Sequence, residues 1–227
     1  MKVIAVIPTL NEEELLLATI ASLRRQNMDC VVVVVDGGST DGTLTIAERN
    51  ADIVASTRRG VGLARNLGAS VGEEGDILVF TDADTILPDG ALGRVVRAFT
   101  DGVAAVTLPA EPSNRTWLNV LIWAVLNSLS ALSVWAGLPM VPGYFIAVRW
   151  SAWSKTLYSV ETKSEDIDFS LRLRRHGRVV RLPWPRVVTS SRRVDKRGIR
   201  SVSDYINLFI RGTIGLPVSY PPVRAHL

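Results

Sequence analysis

The stretch CVVVVVDGGSTDGT at residues 30–43 decides the fold class. Its five consecutive valines leave no face for solvent, so residues 30–35 are predicted to form a strand buried on both sides, as the strands of a parallel sheet are. The Gly, Ser, Thr and Asp residues that follow are typical of a turn, and residues 41–50 are predicted to form a helix. A strand, a polar turn and a helix in this order form the unit from which parallel sheets are built.

The same unit recurs along the first hundred residues. Strands are predicted at 3–7, 53–56 and 76–80, and helices at 12–26, 60–71 and 88–99. The helix at 12–26 is expected to begin with acids and end with arginines, which matches the helix dipole. Because this alternation implies right-handed crossovers, the fold class is α/β, with a Rossmann-like, mostly parallel central sheet and helices on both faces. No repeat or linker is visible, so residues 1–227 are expected to form a single domain.

The composition indicates a reducing, intracellular setting and a sizeable core. A hydrophobic fraction of 47% with 21% charged residues excludes a disordered chain. The single cysteine, Cys30, excludes an intramolecular disulfide and a thiolate zinc cage. His176 and His226 are far apart in the chain, which argues against imidazole-based metal chemistry. No export signal is visible before Pro8, so a cytoplasmic location is expected.

The charge is divided unevenly between the two halves of the chain. Residues 1–100 carry 9 Lys and Arg against 14 Asp and Glu, whereas residues 101–227 carry 17 against 8. A basic half can face nucleic acid, anionic lipid or a phosphorylated substrate. Because the basic residues are not interleaved with aromatic residues and no helix-turn-helix or zinc pattern is present, no nucleic-acid partner is expected.

Four polar clusters follow predicted strands, at residues 8–13, 36–43, 56–60 and 81–85. Each cluster alone has the composition of an ordinary turn. In open parallel sheets, however, ligands bind beyond the carboxyl ends of the strands. Four such clusters on one rim therefore predict a nucleotide pocket.

The cluster FTDADT at 80–85 places Asp82 and Asp84 one residue apart after a buried strand. Two carboxylates so close repel each other unless a cation lies between them. Oxygen ligands with no His or Cys nearby suit Mg²⁺ or Mn²⁺, which complete their shells with water and substrate phosphates. An Asp-x-Asp string is weak evidence alone, and its position at a strand end is what gives it weight.

Six segments together resemble the family 2 glycosyltransferases with the GT-A fold. They are VIPTLNEEE, VVVVDGGSTDGT, RRGVGLARNLGA, VFTDADTILP, VPGYFIAVRWSAW and SEDIDFSLRLRRHGRVVRLP, and they lie between residues 3 and 183. The tail VVTSSRRVDKRGI is similar to small bacterial and archaeal members. Each motif is loose, but their order and spacing are specific.

The resemblance implies transfer of a sugar from a UDP- or GDP-linked donor, with inversion at the anomeric carbon. It divides the chain into a nucleotide-binding half (1–107), an acceptor half (108–190) and a basic C-terminal segment (191–227). It implies the following roles: Pro8, Thr9 and Glu12 line the nucleoside site, Asp36 accepts a hydrogen bond from the base, Arg65 supports the nucleotide, Asp82 lies near the ribose or a metal-bound water, and Asp84 ligates Mg²⁺ or Mn²⁺.

The segment SED at 164–166 supplies a candidate general base, which a hydroxyl acceptor needs. Ser164 is expected to cap a helix, which leaves Glu165 and Asp166 in its first turn. A helix N-terminus lowers the pKa of a carboxylate, so both are expected to be ionised. By motif position, Asp166 is predicted to be the base and Glu165 to hold the acceptor. The alternative is that these acids only complement the helix dipole.

The basic segment RRVDKRGIR at 192–200 has three interpretations. Arg192 and Arg193 are candidates for a lid that contacts the nucleotide diphosphate, because guanidinium groups suit phosphate. The segment can equally rest on an anionic membrane. Ordinary surface charge is the third interpretation.

The segment WLNVLIWAVLNSLSALSVWAGL at 117–138 lies within 33 uncharged residues. It is long enough to span a bilayer, but a single crossing would place Asp84 and Asp166 on opposite sides of the membrane. It is therefore expected to be a buried helix, or an interfacial one with Trp117, Trp123 and Trp135 at headgroup depth. The interfacial interpretation favours peripheral contact with the inner face of the cell membrane and a lipid-linked acceptor, either a polyprenyl phosphate or a glycolipid.

Two other function classes stay open. A nucleotidyltransferase is also α/β and metal-dependent, but it normally carries a glycine-rich loop with Arg and Lys after the first strand, where this chain has PTLNEEE. A non-catalytic subunit of the same fold would bind a sugar nucleotide or a membrane without turnover. The intact acidic motifs argue against this second class.

Overall fold

The computed structural model describes residues 1–160, 164–198 and 200–213. The strands are β1 (Val3–Thr9), β2 (Val31–Asp36), β3 (Ile53–Ser56), β4 (Ile77–Thr81), β5 (Thr85–Ile86), β6 (Val103–Thr107), β7 (Ala110–Pro112), β8 (Phe145–Arg149), β9 (Arg178–Arg181) and β10 (Val187–Thr189). The helices are α1 (Leu16–Arg24), α2 (Thr43–Asn50), α3 (Val61–Ala69), α4 (Ala91–Arg97), α5 (Trp117–Trp135), α6 (Trp150–Trp153), α7 (Glu165–Leu173), α8 (Arg192–Arg197) and α9 (Arg200–Thr213).

A seven-stranded sheet has the order β3-β2-β1-β4-β8-β6-β9. The strands β3, β2, β1 and β4 are parallel, β8 runs antiparallel to both of its neighbours, and β9 is parallel to β6. The valine run forms β2 inside the parallel part, between β1 and β3. The predicted mostly parallel α/β fold is confirmed.

Helices cover both faces of this sheet because alternate residues of each strand point in opposite directions. On one face, Val3, Ala5 and Ile7 of β1 belong to a core that also contains residues of α1, α4 and α5. On the other face, Ile4 and Val6 belong to a core with residues of α3, α6 and α7. The arginine-bearing helix α3 and the acid-bearing helix α7 therefore pack on the same face of the sheet.

Helix α1 begins at Leu16, four residues later than predicted, and its first turn contains no acid. The prediction that acids in the first turn of this helix complement its dipole is therefore wrong. The acids serve tertiary contacts instead: Glu13 accepts a hydrogen bond from the Gly42 amide at 2.7 Å, and Glu12 binds an arginine from α8. At the other end, Arg24 lies in the last turn as predicted.

A three-stranded sheet of order β5-β10-β7 lies beside the main sheet. Strand β5 follows Asp84 directly, and β10 pairs antiparallel with it, so that Thr189 lies opposite Thr85. The hydroxyl of Thr189 consequently lies 3.3 Å from Asp84 Oδ1. This small sheet fixes the acid-bearing loop against the C-terminal part of the chain.

Candidate active site

A cavity of about 490 Å³ brings the two acidic motifs together. Asp82 and Asp84 line it from the loop after β4, and Glu165 and Asp166 line it from the first turn of α7. These residues are about eighty positions apart in the sequence. Their convergence on one cavity is the arrangement that the sugar-transfer hypothesis requires.

Arg65 connects the two acidic pairs from α3. Its side chain is only 2% exposed, and its Nη2 and Nη1 atoms donate to Asp82 at 2.9 Å and to Glu165 at 3.2 Å. Its guanidinium carbon also lies 5.0 Å from the centre of the Tyr158 ring. Because a guanidinium group is planar and holds its donors in a fixed fork, Arg65 sets the position of one acid relative to the other. Its predicted support of the nucleotide stays a prediction.

Gly143 contacts both Arg65 and Asp166. Its carbonyl oxygen accepts a hydrogen bond from Arg65 Nη2 at 3.1 Å, and its amide donates to Asp166 Oδ2 at 2.8 Å. A Cβ atom at this position would lie 2.5 Å from Arg65 Nη2. A side chain at this position would therefore displace the Arg65 guanidinium group, and the Gly143 amide orients the predicted base.

Burial raises the pKa of both Glu165 and Asp166. Loss of water is the largest cause in each case, the charge of Asp166 raises the pKa of Glu165 further, and Arg65 opposes the rise in both. The prediction that the helix start lowers these pKa values is thus wrong, because desolvation outweighs it. Ser164 is the N-cap residue but makes no side-chain capping hydrogen bond. A raised pKa makes Asp166 a stronger base than an exposed aspartate.

Arg192 connects Glu12 with Asp84. Its Nη2 donates to the two Glu12 oxygens at 2.7 and 2.8 Å and to Asp84 Oδ2 at 3.3 Å. Burial raises the pKa of Asp84, and the negative charges of Asp82 and Glu12 raise it further. The carboxylates at this end of the cavity therefore need a positive charge nearby, and Arg192 supplies one.

The donor set fits a hard divalent cation that receives part of its shell from a substrate. Asp82 and Asp84 offer only oxygen ligands, which suit Mg²⁺ and Mn²⁺. Within residues 1–160, 164–198 and 200–213, no three His, Cys, Asp or Glu side chains form a complete metal cage. An ion held by Asp84 and Asp82 would thus complete its coordination with phosphate oxygens and water.

Four predicted nucleoside-site residues, Pro8, Thr9, Glu12 and Asp36, are not among the residues that line the cavity. Pro8 and Thr9 end β1, and Asp36 ends β2. The Asp36 carboxylate is occupied within its own loop, where it accepts hydrogen bonds from the Gly38 and Ser39 amides at 2.9 Å. The roles of Pro8, Thr9, Glu12 and Asp36 in nucleoside binding stay predictions. Arg193 belongs to α8, and its side chain lies outside the described part of the structure.

Several residues that line the cavity carry no short motif and were missed by sequence reasoning. They lie on α5, β10, α8 and α9 and in the loop before β8. They include Trp123, Tyr144, Thr189, Arg197 and Tyr205. Burial raises the pKa of Tyr144 to about 12, so its hydroxyl stays protonated near neutral pH. The one available signal was the dense basic segment at 192–200, which contains Arg197.

Helix α5 is, among the residues that the structure describes, the one helix long and apolar enough to cross a membrane. Its inner side packs on the domain and lines the cavity through Trp123, Leu126 and Asn127. The predicted position of Trp123 at headgroup depth is therefore wrong, because this side chain is buried. A crossing at α5 would separate Asp84 from Asp166, yet both line the same cavity. Its outer side exposes apolar residues along the helix, namely Trp117, Leu118, Val120, Leu121, Val125, Leu132 and Trp135.

The sequence of this chain matches known glycosyltransferases over part of its length. YfnE of Bacillus subtilis, named as an uncharacterized glycosyltransferase, is 36% identical over 106 residues, which are 43% of this chain and 27% of that protein. The undecaprenyl-phosphate 4-deoxy-4-formamido-L-arabinose transferase of Proteus mirabilis is 27% identical over 139 residues, which are 56% and 43% of the two chains. The aligned stretches thus span less than half the length of these curated relatives.

Solved structures share the fold over nearly the whole chain. The mannosyltransferase PcManGT of Pyrobaculum calidifontis, in complex with GDP-Man and Mn²⁺, superposes with a TM-score of 0.70 at 23% identity and covers 94% of this chain and 63% of its own. Glucosyl-3-phosphoglycerate synthase of Mycobacterium tuberculosis, in complex with Mn²⁺, UDP-glucose and phosphoglyceric acid, gives a TM-score of 0.62 at 21% identity and covers 95% and 80%. At such identities the likeness establishes the fold alone.

The family model decides the classification. The model described as Glycosyl transferase family 2 matches residues 4–153, which is more than half of the chain and includes the DADT acids and Arg65. The structural neighbours are glycosyltransferases of the GT-A fold. The resemblance noted from the sequence is confirmed, and the chain belongs to glycosyl transferase family 2.

Proposed function

We propose that this protein transfers a sugar from a UDP- or GDP-linked donor to an acceptor, with inversion at the anomeric carbon and with Mg²⁺ or Mn²⁺ bound by Asp84 and Asp82. The observation that carries the proposal is the convergence of Asp82, Asp84, Glu165 and Asp166 on one cavity. The neighbours crystallised with UDP- or GDP-sugars and Mn²⁺ support this donor class. Family membership supports the reaction type.

The residues divide the work of a single displacement. The Asp166 carboxylate takes the proton of an acceptor hydroxyl while the acceptor oxygen bonds to the anomeric carbon. The bond from that carbon to the donor phosphate breaks at the same time, so the configuration inverts and the nucleoside diphosphate leaves. The divalent ion would neutralise charge on the leaving diphosphate. Arg65 keeps Glu165 in place beside the base, and Arg192 is positioned to contact the diphosphate.

The nature of the base favours a hydroxyl as the attacking group. A phosphate monoester is already largely ionised near neutral pH, so it needs no base, and the carboxylates of Glu165 and Asp166 would repel it at the reacting position. A hydroxyl needs the buried carboxylate of Asp166. Of the two lipid-linked acceptors considered from the sequence, the glycolipid, with its sugar hydroxyls, therefore fits better than the polyprenyl phosphate.

We also propose that the protein binds peripherally to the inner, cytoplasmic face of the cell membrane through the outer side of α5. Trp117 and Trp135, at the two ends of this helix, are 78% and 84% exposed, and tryptophan prefers the membrane interface. Ile206 and Ile210 of α9 are exposed one helical turn apart, and α9 packs against α5. Basic residues of α8 and α9 would add attraction to anionic lipid.

The membrane proposal predicts that the protein floats with anionic vesicles at low salt. Replacing both Trp117 and Trp135 by Ser should lower the bound fraction about tenfold or more, because burial of each large apolar side chain contributes roughly 1.5–3 kcal/mol. Trp184→Ser is the matched control, since Trp184 is 53% exposed and lies outside α5. Equal loss in both variants, or no binding by the unchanged protein, would refute the proposal.

The donor and metal predictions can be tested by melting temperature and product analysis. UDP- and GDP-sugars should raise the melting temperature only with Mn²⁺ or Mg²⁺ present, and Asp84→Asn should remove most of that rise, because it deletes a charged metal ligand. Asp89→Asn, at an exposed acid of the neighbouring loop, should behave like the unchanged protein. Release of a nucleoside diphosphate from the sugar nucleotide with an acceptor present indicates sugar transfer. Release of pyrophosphate from UTP or GTP with a sugar phosphate would indicate a nucleotidyltransferase, and binding without turnover would indicate a non-catalytic subunit.

A further inference from the structure

The cavity extends beyond the acids into a compartment formed by α5, α8 and α9. We call this compartment the α5–α9 pocket. It is lined by Trp123, Leu126, Val194, Arg197, Ser201 and Asp204. It is joined to the predicted base by the loop before β8, because Tyr205 donates a hydrogen bond to the Met140 carbonyl at 2.8 Å and Gly143 binds Asp166. A molecule with its reacting group at Asp166 would therefore extend into this pocket.

Two polar side chains of the α5–α9 pocket have no hydrogen-bond partner among the residues that the structure describes. The indole Nε1 of Trp123 and the hydroxyl of Ser201 are both buried and unsatisfied, and Trp123 is only 9% exposed. Buried polar atoms normally have partners, and an unmet one carries a cost in free energy. The indole N–H can only donate, so the missing partner is an acceptor atom such as an oxygen.

The same pocket contains a cation that is held in place. Arg197 Nη2 lies 2.9 Å from Asp204 Oδ2, and the two side chains are 22% and 17% exposed. This ion pair uses one edge of a guanidinium group that has five N–H donors. Ser201 lies in the first turn of α9, whose N-terminus favours negative charge. A fixed arginine, two unmet polar groups and a helix start thus surround one space.

We propose that the α5–α9 pocket binds a phosphate group of the acceptor. This phosphate anchors the acceptor, and a separate hydroxyl group attacks the donor. This inference rests on the proposed sugar transfer, because that function places the reacting hydroxyl at Asp166. The donor diphosphate is assigned to the opposite end of the cavity, near Asp84 and Arg192. The apolar side chains of Trp123, Leu126 and Val194 would contact the carbon skeleton between the phosphate and the hydroxyl. The acceptor class is then a phosphorylated or phosphate-linked sugar or polyol.

A purely structural role for the Arg197–Asp204 pair predicts a different response to the substitution Asp204→Asn. If the pair only joins α8 to α9, Asp204→Asn lowers the melting temperature and leaves anion binding unchanged. If Arg197 binds phosphate, Asp204→Asn removes a competing negative charge and tightens phosphate binding. The phosphate affinity of Asp204→Asn therefore separates the two roles, even if Arg197→Gln reduces stability.

The donor site of the full chain is first saturated with UDP or GDP and Mn²⁺. Inorganic phosphate is then titrated into this sample, and its binding is measured by calorimetry. Arg197→Gln should weaken phosphate binding about tenfold or more, because it removes a charge-assisted hydrogen bond, and Asp204→Asn should strengthen it severalfold. Arg200→Gln is the control, since it removes an equal charge from an exposed neighbouring position. Unchanged phosphate binding in Arg197→Gln, or unchanged or weaker binding in Asp204→Asn, would overturn the proposal.

Two further arms identify the source of the phosphate and separate this inference from the proposed function. Vesicles of phosphatidylcholine with phosphatidic acid present a lipid phosphate monoester, and vesicles of phosphatidylcholine alone do not. Arg197-dependent binding to the vesicles with phosphatidic acid would assign the bound phosphate to a lipid. Binding of free phosphate alone would assign it to a soluble acceptor. Nucleotide affinity is measured in the same samples. Absence of nucleotide binding would count against sugar transfer. The phosphate titration of the variants would still show whether the α5–α9 pocket binds phosphate.

Discussion

Asp166→Asn is expected to reduce sugar transfer to a hydroxyl acceptor by about 10²–10⁴-fold, the range that a positioned general base contributes. The amide has nearly the same shape and cannot take a proton, so the fold and the cavity should persist. Binding of the nucleotide sugar with Mn²⁺ should stay within about threefold of the unchanged protein, because Asp166 lies at the acceptor side of Arg65. Initial rates of nucleoside diphosphate release and calorimetric titration of the donor measure the two effects separately.

Asp168→Asn provides the control on the same helix turn. Asp168 pairs with Arg172 at 2.7 Å and does not line the cavity, so its loss should leave transfer nearly unchanged. Equal losses in the two variants would mean that the acids of α7 act only through the helix start. Full activity of Asp166→Asn would indicate an acceptor that is already ionised, such as a phosphate, and would remove the general base from the proposal.

The parallel core could be predicted from the sequence because its signals are local. The valine run of β2 and the apolar run of β4 can hardly be placed anywhere but inside a covered sheet, and the polar turns after them fix which ends carry the site. The start of α1 could not be predicted, since Glu12 and Glu13 have suitable residue types for a first helical turn but contact Arg192 and Gly42 instead. Such tertiary contacts override local preference.

The acids of the candidate site and Arg65 could be predicted by motif, but the contacts that join them could not. The burial of Arg65 between Asp82 and Glu165 depends on residues far away in sequence. The pKa values show the same limit: a helix start predicts a lowered pKa, and only the packed structure reveals the desolvation that raises it. The α5–α9 pocket depends on three helices that no short motif connects. Long-range packing, which sequence patterns do not encode directly, accounts for each of these differences.

Arg65→Met should have the second largest effect, because it removes the cation that joins the two acidic pairs. Glu165 would keep a mostly buried carboxylate without its partner, and loss of one member of a buried ion pair typically costs about 3–5 kcal/mol. Since Asp82 is 40% exposed, the lower end of that range, about 3 kcal/mol of unfolding free energy, is expected in denaturant titrations. Arg24→Met is the control: its pair with Asp52 is exposed on both sides, and such pairs contribute only about 0–1 kcal/mol.

The pH profile of Arg65→Met separates a positioning role from a purely structural one. Asp166 must be deprotonated to act as the base, so activity is lost as the pH falls through its pKa, which burial already raises. Arg65 holds that pKa down, and its removal should therefore move the acid limb of kcat/KM to higher pH. Arg65→Lys keeps the charge but cannot bind Asp82 and Glu165 as one planar fork. Its acid limb should therefore lie close to that of the unchanged protein, whereas its free energy of unfolding should stay lower. A variant that loses stability while its acid limb stays in place would show that Arg65 braces the fold without tuning the base.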